Sequence, residues 1–421
     1  MVENGGMRHA SACLVSTDRA LQKAAAKSLM NLSGNVSRRF DLSPVLPTLL
    51  ACLRDVGVGE DFASVCAGVI RNASRREQRY RDLILNASGV ETLLKVLRLR
   101  SHQCLASCTA ATCENVICAL WTLVSNVEYS CCMEFFVQLR SIINIASPLL
   151  LGEEEAPRRL LYCAFGCLSA WCAGSADAQR AFVECVLQDT VLNVLRLLAN
   201  SERREDSILV QKIVRACCSS LRPLSLAKFS SKDNVFVLAS HFYQASIDVI
   251  LPIAELYIEF ERTAETAVAL LTNFAGFQKA ARRKLAAGGI LWRLLQLFER
   301  QLARLHSGKT YSEALCERIS QLLLNISVGM YALNPDCISR LSSCSSVIVA
   351  KGCDDVLEST VSYFCASLCN FAKSEKNAEQ LKATDIVERV QAVCKKWPDM
   401  RHATAARALF MKTQNSSILI E

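Results

Sequence analysis

Of the side chains in this 421-residue chain that are equipped for chemistry, the thiols come first: 22 cysteines stand beside only five histidines. Thiolates and imidazoles at suitable spacing make a zinc clip, but no two cysteines here are three residues apart, so Cys-x-x-Cys never occurs. The densest group, His102 with Cys104, Cys108 and Cys113, spaces its thiols by four and five residues and so places them on one side of a helix. Cys163, Cys167 and Cys172 follow the same pattern, as do Cys365 and Cys369. These thiols, with the doublets Cys131-Cys132 and Cys217-Cys218, read as small apolar side chains for close helix contacts in a reducing compartment. Gly308-Lys309-Thr310 ends like a phosphate-cradling loop, yet the first glycine of such a loop would fall at Ala303, and no apolar strand precedes it. His9, His102, His241, His306 and His402 are scattered without a nucleophile signature, and Glu153-Glu154-Glu155 beside Gly152 and Pro157 has the composition of a solvated loop. The expectation is a chain that is not an enzyme, with no cofactor and no catalytic or metal residues.

The elements that carry these residues are helices. Gly (16) and Pro (8) together make about 6% of the chain, roughly half the usual share, while 51% of residues are hydrophobic; such a chain is poorly suited to sandwiches, barrels or disorder. The excess of 48 Lys and Arg over 40 Asp and Glu, a net charge of +8, is scattered in short groups and falls short of a nucleic-acid signature. No uncharged apolar run reaches the roughly 18 residues a membrane span needs, the richest being the ten residues 142–151, so no membrane insertion is expected. Residues 1–21 hold no apolar leader stretch, which points to the cytoplasm, with nucleus and cilium open. Six Asn-x-Ser tripeptides, at Asn31, Asn35, Asn72, Asn86, Asn325 and Asn415, are therefore not read as sugar sites.

Three of those asparagines mark something else. One helix is written repeatedly, with apolar residues at i, i+3, i+4 and i+7 and an Asn at i+6. Cys66, Val69, Ile70 and Ala73 surround Asn72; Leu120, Leu123, Val124 and Val127 surround Asn126; Ala267, Leu270, Leu271 and Phe274 surround Asn273; Ile319, Leu322, Leu323 and Ile326 surround Asn325. Two copies carry one serine in the quartet: Ala25, Ser28, Leu29 and Leu32 around Asn31, and Phe364, Ser367, Leu368 and Phe371 around Asn370. Two more keep the quartet but replace the Asn, by Ala170 within Ala164, Cys167, Leu168 and Trp171, and by Ser220 within Val214, Cys217, Cys218 and Leu221. The eight markers are spaced about 48 residues apart on average, near the roughly 40–47 of stacked helical repeats.

Downstream of several markers comes a small-residue turn and another apolar helix, as at Gly89-Val90-Glu91 and Gly288-Gly289-Ile290. Here the chain resembles the armadillo repeat family, whose units end in a helix reading like Ala269-Leu270-Leu271-Thr272-Asn273-Phe274-Ala275 with a Gly-Gly-Ile turn some fifteen residues later. The resemblance is good over 267–300, fair over 64–97 and 364–395, and poor over 222–262, where Pro223 and Pro252 predict an irregular segment. It implies an all-α fold, a right-handed α-solenoid superhelix of about eight degenerate armadillo-like repeats over 20–412. Around it, 1–19 is expected to be a partly disordered N-terminal segment, a closing helix to lie near 403–412, and 413–421 to be a tail.

Geometry places each marker about 110° from the centre of its apolar stripe, on the rim of the buried face, and the amides thus form a column. An amide both donates and accepts, so Asn31, Asn72, Asn126, Asn273, Asn325 and Asn370 are candidates for holding the backbone of an extended partner. The resemblance implies the same role, in a concave groove; the other reading is that these amides bond to neighbouring backbone and fix repeat stacking. Import adaptors of the family place a Trp four residues before this Asn, where the present chain has Lys27, Gly68, Thr122, Gly166, Ala216, Ala269, Gln321 and Ala366. The resemblance therefore does not extend to basic nuclear-localisation cargo. Basic residues after the markers, Arg75, Arg76 and Arg79 and again Arg282, Arg283 and Lys284, read first as a solvated face and second as an edge attracting acidic peptides. The resulting expectation is a scaffold or adaptor whose partner is a protein or extended peptide. A regulator of a small GTPase, a chaperone cofactor engaging a folded domain, and an architectural subunit of a ciliary or transport complex are the alternatives.

Overall fold

With apolar residues recurring every third or fourth position and few turn-formers, this chain satisfies its backbone within helices. The structure, a computed structural model, describes residues 6–35, 41–55, 59–104, 107–124, 133–200, 207–226, 234–306, 313–329, 331–350 and 358–396; these hold α-helices and no strand. The chain divides into two compact units, 1–194 with 205–227 and 195–204 with 228–421. Into the first fall α1 (Gly6–Leu14), α2 (Arg19–Gly34), α3 (Leu46–Arg54), α4 (Glu60–Arg76), α5 (Gln78–Asn86), α6 (Gly89–Arg100), α7 (Ser107–Val124), α8 (Met133–Ala146), α9 (Glu155–Gly174), α10 (Ala176–Glu184), the start of α11 (Leu187–Ala199) and α12 (Ile208–Leu226). The second holds α13 (Asn234–Leu256), α14 (Glu261–Phe277), α15 (Lys279–Leu285), α16 (Gly288–His306), α17 (Glu313–Ser327), α18 (Pro335–Ala350), α19 (Glu358–Phe371), α20 (Glu375–Lys382) and α21 (Ile386–Lys396).

Every marker helix of the sequence is a long helix here, and these helices stack in rows. In the first unit α2, α4, α7, α9 and α12 pack each on the next, with α3, α6 and α8 as a second row. In the second unit α14, α17 and α19 form one row and α16, α18 and α21 the other. The quartets explain the stacking: Cys66, Val69, Ile70 and Ala73 of α4 are fully buried, and so are Ile319, Leu322, Leu323 and Ile326 of α17. Each large aliphatic side chain so removed from water stabilises the stack by about 1.5–3 kcal/mol, and no unit has this face covered without a neighbour. The first copy departs from the pattern. In α2 the buried residues are Ala26, Leu29 and Ser33, one position round from Ala25, Ser28 and Leu32.

The segment 222–262, expected to be irregular, is largely helical: α12 continues through Pro223 to Leu226, and α13 runs 23 residues with Pro252 inside it. Pro252 lies in the last turns of α13, where the missing N–H forfeits one helical bond while Ile250, Leu251, Ile253 and Ala254 stay buried. Within the N-terminal segment 1–19, α1 packs on α2 and α3. The closing helix expected near 403–412 and the tail 413–421 lie outside the described residues, as does Asn126.

The turn between a short helix and its successor is solved without glycine at the strained position. Ser88 (φ 50°) and Val186 (φ 55°) take the left-handed conformation before α6 and α11. Gly89 serves a different need: a Cβ there would stand 2.4 Å from Ile84 Cγ2 and 2.5 Å from the Ile84 carbonyl oxygen, so only hydrogen permits this approach.

Candidate peptide-binding face

The amide column of the sequence is divided by the structure into stitched and unstitched members. Asn72 Nδ2 donates to Ser33 Oγ at 3.1 Å, across from α4 to α2. Asn370 Nδ2 donates likewise to Ser327 Oγ at 3.2 Å, from α19 to α17, and Asn325 Nδ2 to the Thr272 carbonyl at 3.0 Å. Ser33 and Ser327 are the serines of Asn-x-Ser tripeptides, two residues past the marker, and the tripeptide Asn325-Ile326-Ser327 supplies one partner to the helix before it, through Asn325, and one to the helix after it, through Ser327. The acceptor ends are also engaged: Asn72 Oδ1 accepts from Arg71 Nε and Nη2 at 3.2 and 3.1 Å, and Asn370 Oδ1 from Lys373 Nζ at 2.8 Å. Asn31 is exposed and Asn273 half-buried, and neither side chain bonds to another described residue. At the α4–α7 step the hydroxyl paired with Ser74 Oγ, at 2.6 Å, belongs to Thr122, one turn before Asn126.

The basic residues that follow the markers have a specific task. Arg81 Nη1 donates to the Ser74 carbonyl at 2.9 Å, and Arg282 donates through Nε to the Ala275 carbonyl at 2.9 Å and through Nη2 to that of Gly276 at 3.2 Å. Gln179 Nε2 does the same to Cys172 O at 2.8 Å. In each case a side chain nine residues after the marker reaches back seven residues to cap the orphan carbonyls at the end of a long helix, where the helix dipole also favours positive charge. Lys284 Nζ pairs with Asp248 at 2.5 Å; Arg79 pairs with Glu77 at 2.7 Å and lies over the Tyr80 ring; Arg76 reaches Glu77 at 3.6 Å. Arg75 and Arg283 remain exposed.

The concavity that sequence reasoning missed lies in the first unit, where Ala170 and Ser220 interrupt the column. A hollow of about 430 Å³ is bounded by Trp121 of α7, by Tyr162, Gly166, Ser169, Ala170 and Ala173 of α9, and by Lys212, Arg215, Ala216 and Ser219 of α12. Trp121 and Tyr162 meet edge to face, with centroids 5.7 Å apart at 74°. The indole lies directly on the backbone of α9, since a Cβ at Gly166 would stand 2.5–2.7 Å from three of its ring carbons. Gly166 and Ala216 are the small floor; Ser169 Oγ donates to Ser219 O at 3.2 Å and ties α9 to α12 there. Lys212 is exposed and Arg215 half-buried, and neither forms an ion pair with a described residue. The signal in the sequence is Gly166 and Ala216 in the column where import adaptors carry a tryptophan, with Trp121 one place before that column.

Among the described residues no three of His, Cys, Asp and Glu gather as metal ligands. Every described thiol except Cys13 and Cys52 is buried, and burial pushes Cys113, Cys218 and Cys316 up to about 12. These three thiols are packing atoms at neutral pH. Among the described residues no helix is long and apolar enough to cross a membrane.

A short helix, a second helix and a long third helix follow one another as α5, α6 and α7 and again as α10, α11 and α12, and the long helices α7 and α12 lie in the same row of the first unit. The fold is armadillo-like. Solved structures to which the chain is similar include one described by the interaction between cadherin and beta-catenin and its phosphorylation switch (13% identity, 97% of this chain and 87% of that one, TM-score 0.49). Others are a designed armadillo repeat protein in complex with the peptide (KR)4 (12% identity, 64% of this chain and 99% of that one, TM-score 0.43) and a second designed armadillo repeat protein (13% identity, 64% and 99%, TM-score 0.41). No family model and no curated protein matches the sequence.

Proposed function

We propose that this protein is a non-catalytic interaction scaffold that holds an extended, acidic segment of a partner protein against the row of long helices in its first unit. The observation that carries this reading is the hollow at the α7–α9–α12 steps. Two aromatic rings and a glycine-alanine floor accept one large apolar side chain, and Lys212 and Arg215 at the rim accept a carboxylate nearby in the peptide. A basic rim of this kind repels basic segments, so the partner chemistry is apolar followed by acidic.

Asn31 in the first unit, and Asn273 separately in the second, are proposed as further peptide contacts because their amides are not spent on stacking. Asn72, Asn325 and Asn370 act through repeat alignment in this reading, and Arg75 and Arg283 supply local positive charge without a specific contact. A fluorescence-polarisation screen against extended peptides pairing Phe, Leu or Trp with Asp or Glu tests the assignment. Binding should fall at least tenfold with Ala170→Trp, which fills the hollow, and Arg215→Glu should shift preference toward peptides with Lys in place of the carboxylate. If acidic and basic peptides bind alike and Ala170→Trp changes nothing, this assignment is wrong.

A further inference from the structure

One turn before Trp121 on α7 and one turn before Gly166 on α9, two thiols meet: Cys118 Sγ lies 3.0 Å from Cys163 Sγ, and both residues are 4% exposed. A disulfide bond measures about 2.05 Å, so closing one here asks for an approach of about 1 Å between neighbouring helices already packed together. We infer that Cys118 and Cys163 are a site of reversible oxidation, a disulfide closed by peroxide that ties α7 to α9 beneath the hollow.

The surroundings give the two sulfurs different roles. The Cys163 thiol bonding to it holds Cys118 below the usual thiol range against the opposing effect of burial, and the guanidinium groups of Arg75 and Arg71 add to this; Cys163 is pushed up by the same bond and by burial. In this proposal Cys118 is the attacking sulfur, with Cys163 keeping its proton until it resolves. In the first step the Cys118 thiolate attacks one oxygen of hydrogen peroxide, the O–O bond breaks, and hydroxide leaves to become water; Cys118 is oxidised to the sulfenic acid. In the second, Cys163 sulfur attacks the Cys118 sulfur, the S–O bond breaks, and the hydroxyl departs with the Cys163 proton as a second water. Two thiols and one peroxide thus give one disulfide and two waters. A dithiol reductant reverses the bond by exchange.

The neighbouring thiols make the pair distinct. Cys167, one turn further along α9, is driven well above the ordinary range by burial and by the nearby Cys118 and Cys172, which leaves it a poor nucleophile. Closure would draw α7 and α9 together one turn from the Trp121–Gly166 contact, so the bond is placed to alter the aromatic wall of the hollow. That consequence rests on the groove reading above; the bond itself does not.

The test uses the full reduced chain, treated with equimolar hydrogen peroxide under native conditions, blocked with N-ethylmaleimide, digested without reduction and analysed by mass spectrometry. The expected result is a linked pair of peptides joining Cys118 to Cys163, lost on dithiothreitol treatment. In Cys163→Ser, whose hydroxyl keeps a donor beside Cys118 but cannot close a disulfide, confirmed as folded by circular dichroism, Cys118 should instead be trapped by dimedone as the sulfenic acid. A chain in which Cys13 and Cys52 oxidise while Cys118 and Cys163 remain free, or in which the link forms only after unfolding in urea, overturns the proposal. Affinity for an apolar-acidic peptide should differ at least threefold between the oxidised and reduced forms. Equal affinities would reject the control of the hollow while leaving the bond, and absence of peptide binding in both forms would reject the groove reading alone.

Discussion

Replacing Gly166 by alanine sets two effects of known sign against each other. Gly166 lies well inside α9, where alanine is the better helix former by about 0.8–1.0 kcal/mol. The added methyl, however, would stand 2.5–2.7 Å from three carbons of the Trp121 ring, closer than side chains tolerate. Trp121 lies three residues from the end of α7 and is half-buried, so the ring swings outward instead of the helices separating. Swinging out forfeits the edge-to-face contact with Tyr162, about 0.5–1.5 kcal/mol, together with the apolar area against α9, and overpacking in general costs about 1–3 kcal/mol. The clash therefore outweighs the propensity gain, and Gly166→Ala destabilises the chain by about 1 kcal/mol. In a Trp121→Ala background the obstacle is gone, and the same substitution stabilises by about 1 kcal/mol, a coupling of about 2 kcal/mol. Urea unfolding followed by circular dichroism for the wild type, both single variants and the double variant measures that coupling from the midpoints and slopes. Should Gly166→Ala stabilise equally in both backgrounds, the indole does not rest on Gly166 and the wall of the hollow is misdrawn.

Other outcomes follow from the same contacts. Asn72→Ala removes the bond to Ser33 and an acceptor of the Arg71 guanidinium, and should cost about 1 kcal/mol in urea unfolding, whereas Asn273→Ala should stay within about 0.5 kcal/mol; equal costs would contradict the division into stitched and unstitched amides. Arg282→Met uncaps Ala275 and Gly276 at the end of α14 and should speed amide exchange there, with little change in the first unit; uniform protection would refute the capping role. For Cys113, Cys218 and Cys316, burial raises the folded thiol from the usual 9.0 to about 12, so these groups favour folding fully below the unfolded value. Their contribution is lost as pH rises from about 9 toward about 12, which predicts alkaline destabilisation that lessens in Cys316→Ala. Asp41 behaves oppositely: although burial opposes it, bonds from Ser43 and the charge of Arg79 hold its carboxyl below the usual range, so the stability it lends is present above about pH 4 and fades below, an acid sensitivity that Asp41→Asn should reduce.

The sequence by itself determined the helices and their buried faces. A quartet such as Ala267, Leu270, Leu271 and Phe274 is a local statement, because 3.6 residues per turn brings those four side chains to one side whatever lies beyond, and all four are buried. Its repetition about every 48 residues also determined that such helices stack, since none covers that face alone. What only the tertiary structure decided was the register between stacked helices. Ser74 meets Thr122, Arg282 turns back to cap its own repeat, and Trp121, one place before the column in which import adaptors of the armadillo family carry a tryptophan, settles on Gly166. Register depends on how side chains forty to fifty residues apart interdigitate, a sum of small packing preferences that no spacing within one helix encodes. The scaffold is thus written in the period of the chain, and the hollow on its surface arises from the fit between neighbours.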